Sequence, residues 1–157
     1  MSAWKKQAVP LVFLEIGMDA IIKNNGHNPD VRRLYKRVSR WLGECWEPLR
    51  AKSGRIDDDA ALKITVKSAE AIRARLTKTC GAHGLTRPVE MPCAMLTVAE
   101  DTLASMPRRA KDGRRKAWGY LIKALWELCL VTDPEFSDRD GQDRGVKIAE
   151  IVMEVAA

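Results

Sequence analysis

The feature that most constrains the fold is a helical spacing of apolar residues that returns along most of the chain. In the clearest example, residues 31–46, apolar side chains recur every three or four positions and at 100° per residue share one side of a helix. These positions are Val31, Leu34, Tyr35, Val38, Trp41, Leu42, Cys45 and Trp46. No long run alternates with the period of two that a half-buried strand requires. The chain is therefore predicted to be all-α.

Local signals predict where the helix over residues 31–46, the second helix of the chain, begins and ends. Asn28 is a favoured cap residue, and Pro29 suits the first helical position that follows it. Pro48 should stop the helix, because a proline disfavours helical geometry in the preceding residue. We therefore expect the helix to run from Pro29 to about Trp46, with all of its large aromatic residues facing the core.

A first helix is predicted for residues 10–24. Pro10 fits a first turn, and Asn24, Asn25 and Gly26 fit a left-handed stop after the last turn. The segment is apolar on most sides, which is typical of a helix buried among others. We expect it at the centre of the protein.

The same reasoning predicts three or four more helices. Their expected positions are 57–80, 93–105, 114–131 and a C-terminal segment over 146–155. A chain of 157 residues with 46% hydrophobic and 31% charged residues is of ordinary size and composition for one globular domain. The prediction is a compact single-domain bundle of five to six helices over 1–157, in which 133–157 form an acidic turn and the C-terminal helix.

Targeting and redox signals favour a cytoplasmic protein that does not enter a membrane. Glu15 and Asp19 interrupt the N-terminal apolar run, and no run approaches the roughly 18 apolar residues of a membrane span. The cysteines lie far apart in a chain large enough to fold without disulfides. They are Cys45, Cys80, Cys93 and Cys129. We expect reduced thiols.

Charge is segregated along the chain. Residues 133–157 hold seven acids and three bases, and the rest of the chain holds 24 bases and 14 acids. Two groups of cations stand out, one on the polar side of the second helix and one in the turn into the helix over 114–131. They comprise Arg32, Arg33, Lys36, Arg37 and Arg40 in the first group, and Arg108, Arg109, Lys111, Arg114, Arg115 and Lys116 in the second. On a shared surface they would attract a phosphate backbone.

One aromatic residue near the second group projects away from the predicted apolar stripe. This residue, Tyr120, is the candidate for stacking on a base, whereas Trp118 belongs to the stripe. A cationic face opposite an apolar stripe is also what a solvated helix of any basic protein looks like. The alternative to the nucleic-acid interpretation is therefore that these cations line an ordinary solvent-exposed helix face.

Catalytic and metal-binding patterns are weak. Cys80 and His83 have a spacing that suits zinc, and Cys93 follows, but a fourth nearby ligand is missing. No nucleophile elbow, phosphate-binding loop or dinucleotide fingerprint occurs. The chain is expected to have no catalytic residue, no metal and no cofactor.

The resulting hypothesis is a non-enzymatic protein that contacts the backbone of DNA or RNA without strong sequence preference. It would act as a small accessory subunit of a nucleoprotein complex, and small helical subunits of RNA-guided complexes are an analogy at the level of fold. The alternative is a protein-protein interaction module, an adaptor or inhibitor, that uses the same basic surface. The acidic segment 133–157 could also pack on a neighbour's basic face, giving a homo-oligomer or autoinhibition.

Overall fold

The computed structural model describes residues 3–53, 91–108, 113–132 and 139–156. These ranges contain five helices and no strand, which confirms the all-α prediction. The helices are α1 (Ala3–Asn25), α2 (Pro29–Ser53), α3 (Met91–Ser105), α4 (Arg114–Thr132) and α5 (Arg139–Ala156). The helix predicted for 57–80, together with Cys80, His83, Arg109 and Lys111, lies outside the described residues.

Four of the helices form a closed ring of neighbours. The contacts run from α1 to α2, from α2 to α4, from α4 to α3 and from α3 back to α1, and α5 packs on the outside of α4. Among the helices that the structure describes, α4 has the most neighbours. It packs against three others, whereas α1, which we expected at the centre, packs against two.

The central position of α4 depends on small residues as well as on its predicted stripe. All six large members of that stripe are buried: Trp118, Leu121, Ile122, Leu125, Leu128 and Cys129. Ala117, Gly119 and Ala124 are buried too. At Gly119, an added Cβ would lie 3.5 Å from the Val155 side chain of α5, so the two helices approach closely there. Small residues thus let neighbouring helices reach α4 on several sides.

The start of α2 is confirmed in detail. The side-chain Oδ1 of Asn28 accepts a hydrogen bond from the backbone N–H of Asp30 at 3.0 Å, and its carbonyl accepts the N–H of Arg32 at 3.1 Å. Asp30 adds a negative charge in the first turn, where the helix dipole favours it. The sequence signal and the structure agree because capping involves only neighbouring residues.

The predicted end of α2 and the predicted start of α1 were wrong for one reason. Pro48 lies inside α2 and Pro10 lies inside α1. An interior proline costs about 3 kcal/mol, but burying one large apolar side chain contributes about 1.5–3 kcal/mol. Leu49 and Leu11, each next to a proline, are fully buried. Burial of each leucine therefore offsets much of the proline cost and helps to keep the helix continuous.

The turn after α1 also differs from the prediction. Within the described ranges, Gly113 is the glycine with positive φ, at 72°, so Gly26 is not a left-handed stop. Glycine is needed at position 26 for another reason: a Cβ there would lie 2.6 Å from the carbonyl oxygen of Ile22. The Asn25 side chain donates to the carbonyl of Ile21 at 3.2 Å and completes the helix end.

The C-terminal helix begins earlier than predicted. Residues 139–145 had been expected in an acidic turn, but α5 starts at Arg139. Glycine at 141 and 145 lowers helix propensity, but the helix nonetheless extends through both positions. Buried Ile148 anchors the helix to the core. Helices α3 and α4 match their predicted bounds within two residues.

Candidate nucleic-acid interface

The outer face of α2 presents cations to solvent. Arg32, Arg33, Lys36 and Arg40 are all exposed. The Nη2 of Arg33 lies 3.9 Å from the Oδ1 of Asp30. Both side chains remain about two-thirds exposed, so this ion pair is weak. Arg32, Lys36 and Arg40 form no ion pair with any residue that the structure describes. Their charge is available to a partner.

Helices α2 and α4 run antiparallel, which decides how the two predicted cation groups relate. Arg37 forms an ion pair with Glu127, and Trp41 stacks on Tyr120. Residue numbers on α4 thus decrease as those on the facing part of α2 increase. The electrostatic effect of Arg114 on the Cys45 thiol continues this order. Twelve residues of helix separate Arg33 from Cys45, or roughly 18 Å. Arg33 is therefore far from Arg114, whereas Arg40 precedes Cys45 by only five residues, so the two groups approach each other near Arg40.

The second group is the basic turn over residues 108–116. Most of its described cations interact with other parts of the protein. The Nη1 of Arg115 donates to the carbonyls of Leu103 and Met106, at 3.0 and 3.1 Å. These carbonyls lie at and just beyond the end of α3, where a helix leaves acceptors unsatisfied. Arg115 is therefore a helix-capping residue.

The other described cations of this turn differ from one another. Arg108 is 84% exposed and pairs with Glu154 of α5 at 3.2 Å. Arg114 is half-buried against α2, whereas Lys116 is exposed. An exposed ion pair thus links the C-terminal helix to the basic turn within one chain, and packing of the acidic segment on a neighbour's basic face stays a prediction. The described cations of the basic turn therefore do not form one open cationic patch.

The line along which α2 and α4 meet at the surface, here called the seam, carries aromatic residues. Trp41 and Tyr120 are partly buried, with ring centroids 4.6 Å apart and planes at 16°. The guanidinium of Arg40 lies over the Trp41 ring, 5.4 Å from its centroid. The expectation that the aromatics of α2 face the core is confirmed: Trp46 is buried, and Tyr35 and Trp41 are partly buried and pack against the core. Cations and aromatics are therefore interleaved at the seam.

Sequence reasoning found Tyr120 but missed Trp41 and Lys123. On α4, Lys116, Tyr120, Lys123 and Glu127 follow one another at helical intervals of four, three and four, which places them on one face. Lys123 is exposed between the two positions at which α4 touches α2. This spacing is visible in the sequence. What the sequence hides is that this face of α4 meets the edge of α2.

A mixed-charge cleft lies beside the basic turn. Its volume is about 420 Å³, and it lies between the end of α3, the basic turn and α5. Leu103 and Met106 contribute apolar wall, while Arg108, Lys147 and Glu154 contribute both signs of charge. Since the opposite charges partly neutralise one another, this cleft is a poorer site for a phosphate backbone than the outer face of α2.

Two observations concern reactive side chains in the described ranges. No cluster of three or more metal-binding side chains occurs in the described ranges. Burial raises the pKa of the Cys45 thiol well above its usual range, Glu44 adds to the rise and Arg114 opposes it. Cys45 is therefore a protonated core thiol rather than a nucleophile. None of the described helices has the length and apolar character to cross a bilayer.

Comparison with known proteins adds no further constraint. No protein-family model, curated protein or solved structure matches this chain. The functional inference therefore depends on the geometry and charge of the α2 face and the seam.

Proposed function

We propose that this chain is a non-enzymatic, cytoplasmic nucleic-acid-binding protein that contacts the phosphate backbone through the outer face of α2 and the adjoining seam. The observation that supports it is the set of exposed cations Arg32, Lys36 and Arg40, which no described carboxylate neutralises. Lys116 and Lys123 extend the positive charge onto α4. Exposed Glu44 and Glu47 mark where the cationic surface ends on α2.

The physical basis is the release of counterions. Each phosphate that a lysine or arginine neutralises frees condensed cations, so affinity falls as salt rises. Backbone contacts carry little sequence information, because sequence is read at the edges of bases. The proposal is therefore binding without strong sequence preference, as expected of an accessory subunit in a nucleoprotein assembly.

The test is a salt series with a labelled single strand and a labelled duplex. The variant Lys36→Gln/Arg40→Gln removes two charges from the proposed surface, and Lys23→Gln/Lys147→Gln removes two exposed charges elsewhere. We expect the first variant alone to reduce the slope of log K against log salt, by roughly 1.8 for duplex DNA or 1.4 for a single strand. Equal slopes for both variants would contradict the proposed surface.

One observation favours a second candidate, a protein-interaction module. Val146 and Met153 of α5 are 61% and 73% exposed, and they lie seven residues apart on one helical face. Exposed apolar residues at this spacing suit a protein partner better than a phosphate backbone. A protein interface would show one or two dominant anchors, so Met153→Glu would abolish binding to a partner, whereas a phosphate surface weakens gradually.

A further inference from the structure

The seam differs from the exposed cations beside it because it carries a stacked pair of aromatic residues. The large aromatics Trp46 and Trp118 on the same two helices are buried in the core, at 4% and 1% exposure. Trp41 and Tyr120 instead pair at the edge of the core and remain partly open to solvent. Filling the core therefore does not account fully for their position.

The surroundings of this pair are those of a base-stacking site. Arg40 places a planar guanidinium over Trp41, and Arg40 is itself exposed. Lys116 and Lys123 lie four residues before and three residues after Tyr120, one helical turn away on either side. A base stacked at the aromatic pair would thus have a cation near the phosphate on each of its sides.

We infer that the Arg40, Trp41 and Tyr120 cluster takes an unpaired nucleobase, so that the preferred ligand is single-stranded nucleic acid. This inference rests on the proposed function and specifies its substrate class. Stacking tolerates any base, because every base has a π-face, which agrees with backbone binding that has little sequence preference. A duplex hides the faces of its bases and would engage the cations alone.

The first experiment uses the unaltered protein and two strands of equal length, an oligothymidylate and the same strand with abasic residues throughout. Both carry the same number of phosphates, so they differ in the stacking contribution. We expect the thymidylate strand to bind at least about fivefold more tightly, given the usual contribution of one stacked base. Equal affinity for the two strands would overturn the inference while leaving the proposed phosphate binding intact.

The second experiment changes the aromatic residue without changing charge. Tyr120→Leu should remove the preference for the thymidylate strand and leave the salt slope unaltered, and Tyr120→Phe should retain the preference. Tyr35→Leu is the matched control, because Tyr35 is the chain's other tyrosine, is also partly buried, and lies on the opposite edge of the apolar stripe of α2. Thermal unfolding followed by circular dichroism verifies that each variant is folded.

The outcomes separate the two proposals. A Tyr120→Leu protein that keeps the thymidylate preference contradicts base stacking but not backbone binding. Failure of the unaltered protein to bind any of the three ligands, thymidylate strand, abasic strand or duplex, overturns both.

Discussion

The outer face of α2 and the basic turn over residues 108–116 look alike in the sequence but have different roles in the structure. On α2, Arg32, Lys36 and Arg40 project into solvent and have no ion partner among the described residues. In the basic turn, Arg115 caps α3 and Arg108 pairs with α5. A cluster of cations in a sequence is therefore not by itself a binding surface.

The difference arises from what each region faces. The outer face of α2 lies opposite its buried stripe, and the helix neighbours of α2 pack on the other sides. The basic turn connects α3 to α4 at the place where α3 leaves unsatisfied carbonyls. The Arg115 guanidinium therefore meets protein acceptors there, whereas the cations of the outer α2 face meet solvent.

The strongest test of this comparison is the stability effect of removing Arg115. Arg115→Met keeps most of the apolar stem but leaves the carbonyls of Leu103 and Met106 without their donor, so we expect a loss of about 2–3 kcal/mol in the free energy of unfolding. The measurement is urea unfolding, with Lys116→Met as the exposed neighbouring control, expected to change stability by no more than about 0.5 kcal/mol. Equal effects of the two variants would mean that Arg115 is not a structural cap.

A second test compares one cation from each region in nucleic-acid binding. Arg40→Gln should weaken binding to a single strand roughly fivefold, because it removes a charge next to the aromatic pair. Arg108→Gln removes the same charge from a place where the Glu154 carboxylate already lowers the local positive potential, and should change affinity less than about twofold. Fluorescence anisotropy at one fixed salt concentration measures both. A larger loss for Arg108→Gln would reverse the assignment of the two regions.

A third test concerns the ion pair that crosses the seam. Arg37 and Glu127 are 41% and 29% exposed, so water screens their attraction only in part. A double-mutant cycle with Arg37→Gln and Glu127→Gln should give a coupling energy of about 0.5–1 kcal/mol in unfolding. Coupling indistinguishable from zero would show that the pair does not help to hold α2 against α4.

The smallest expected effect is the release of Arg108 from α5. Glu154→Gln removes a carboxylate whose partner is 84% exposed, so stability should change by no more than about 0.5 kcal/mol. Binding to a single strand at low salt should stay the same or rise slightly, since Arg108 gains freedom. A marked rise in affinity for the single strand, with little change in stability, would instead indicate that the C-terminal helix restrains nucleic-acid binding.

Sequence reasoning predicted the features of this protein that depend on one helix at a time. The cap at Asn28, the buried stripe of α4 and the exposed cations of α2 all follow from hydrogen bonding and periodicity within a few residues. The helical class and the bounds of α3 and α4 belong to the same group. Local chemistry suffices because the interacting groups are neighbours along the chain.

Tertiary structure alone decided which helices meet and what the cations face. Trp41 and Tyr120 lie 79 residues apart in sequence, and no local pattern predicts that they stack. The continuity of α2 through Pro48 depends on burying Leu49 in a core built by other helices, and the role of Arg115 depends on where α3 ends. In each case another helix supplies the buried surface or the hydrogen-bond acceptors. The sequence of one segment does not specify which helix that is.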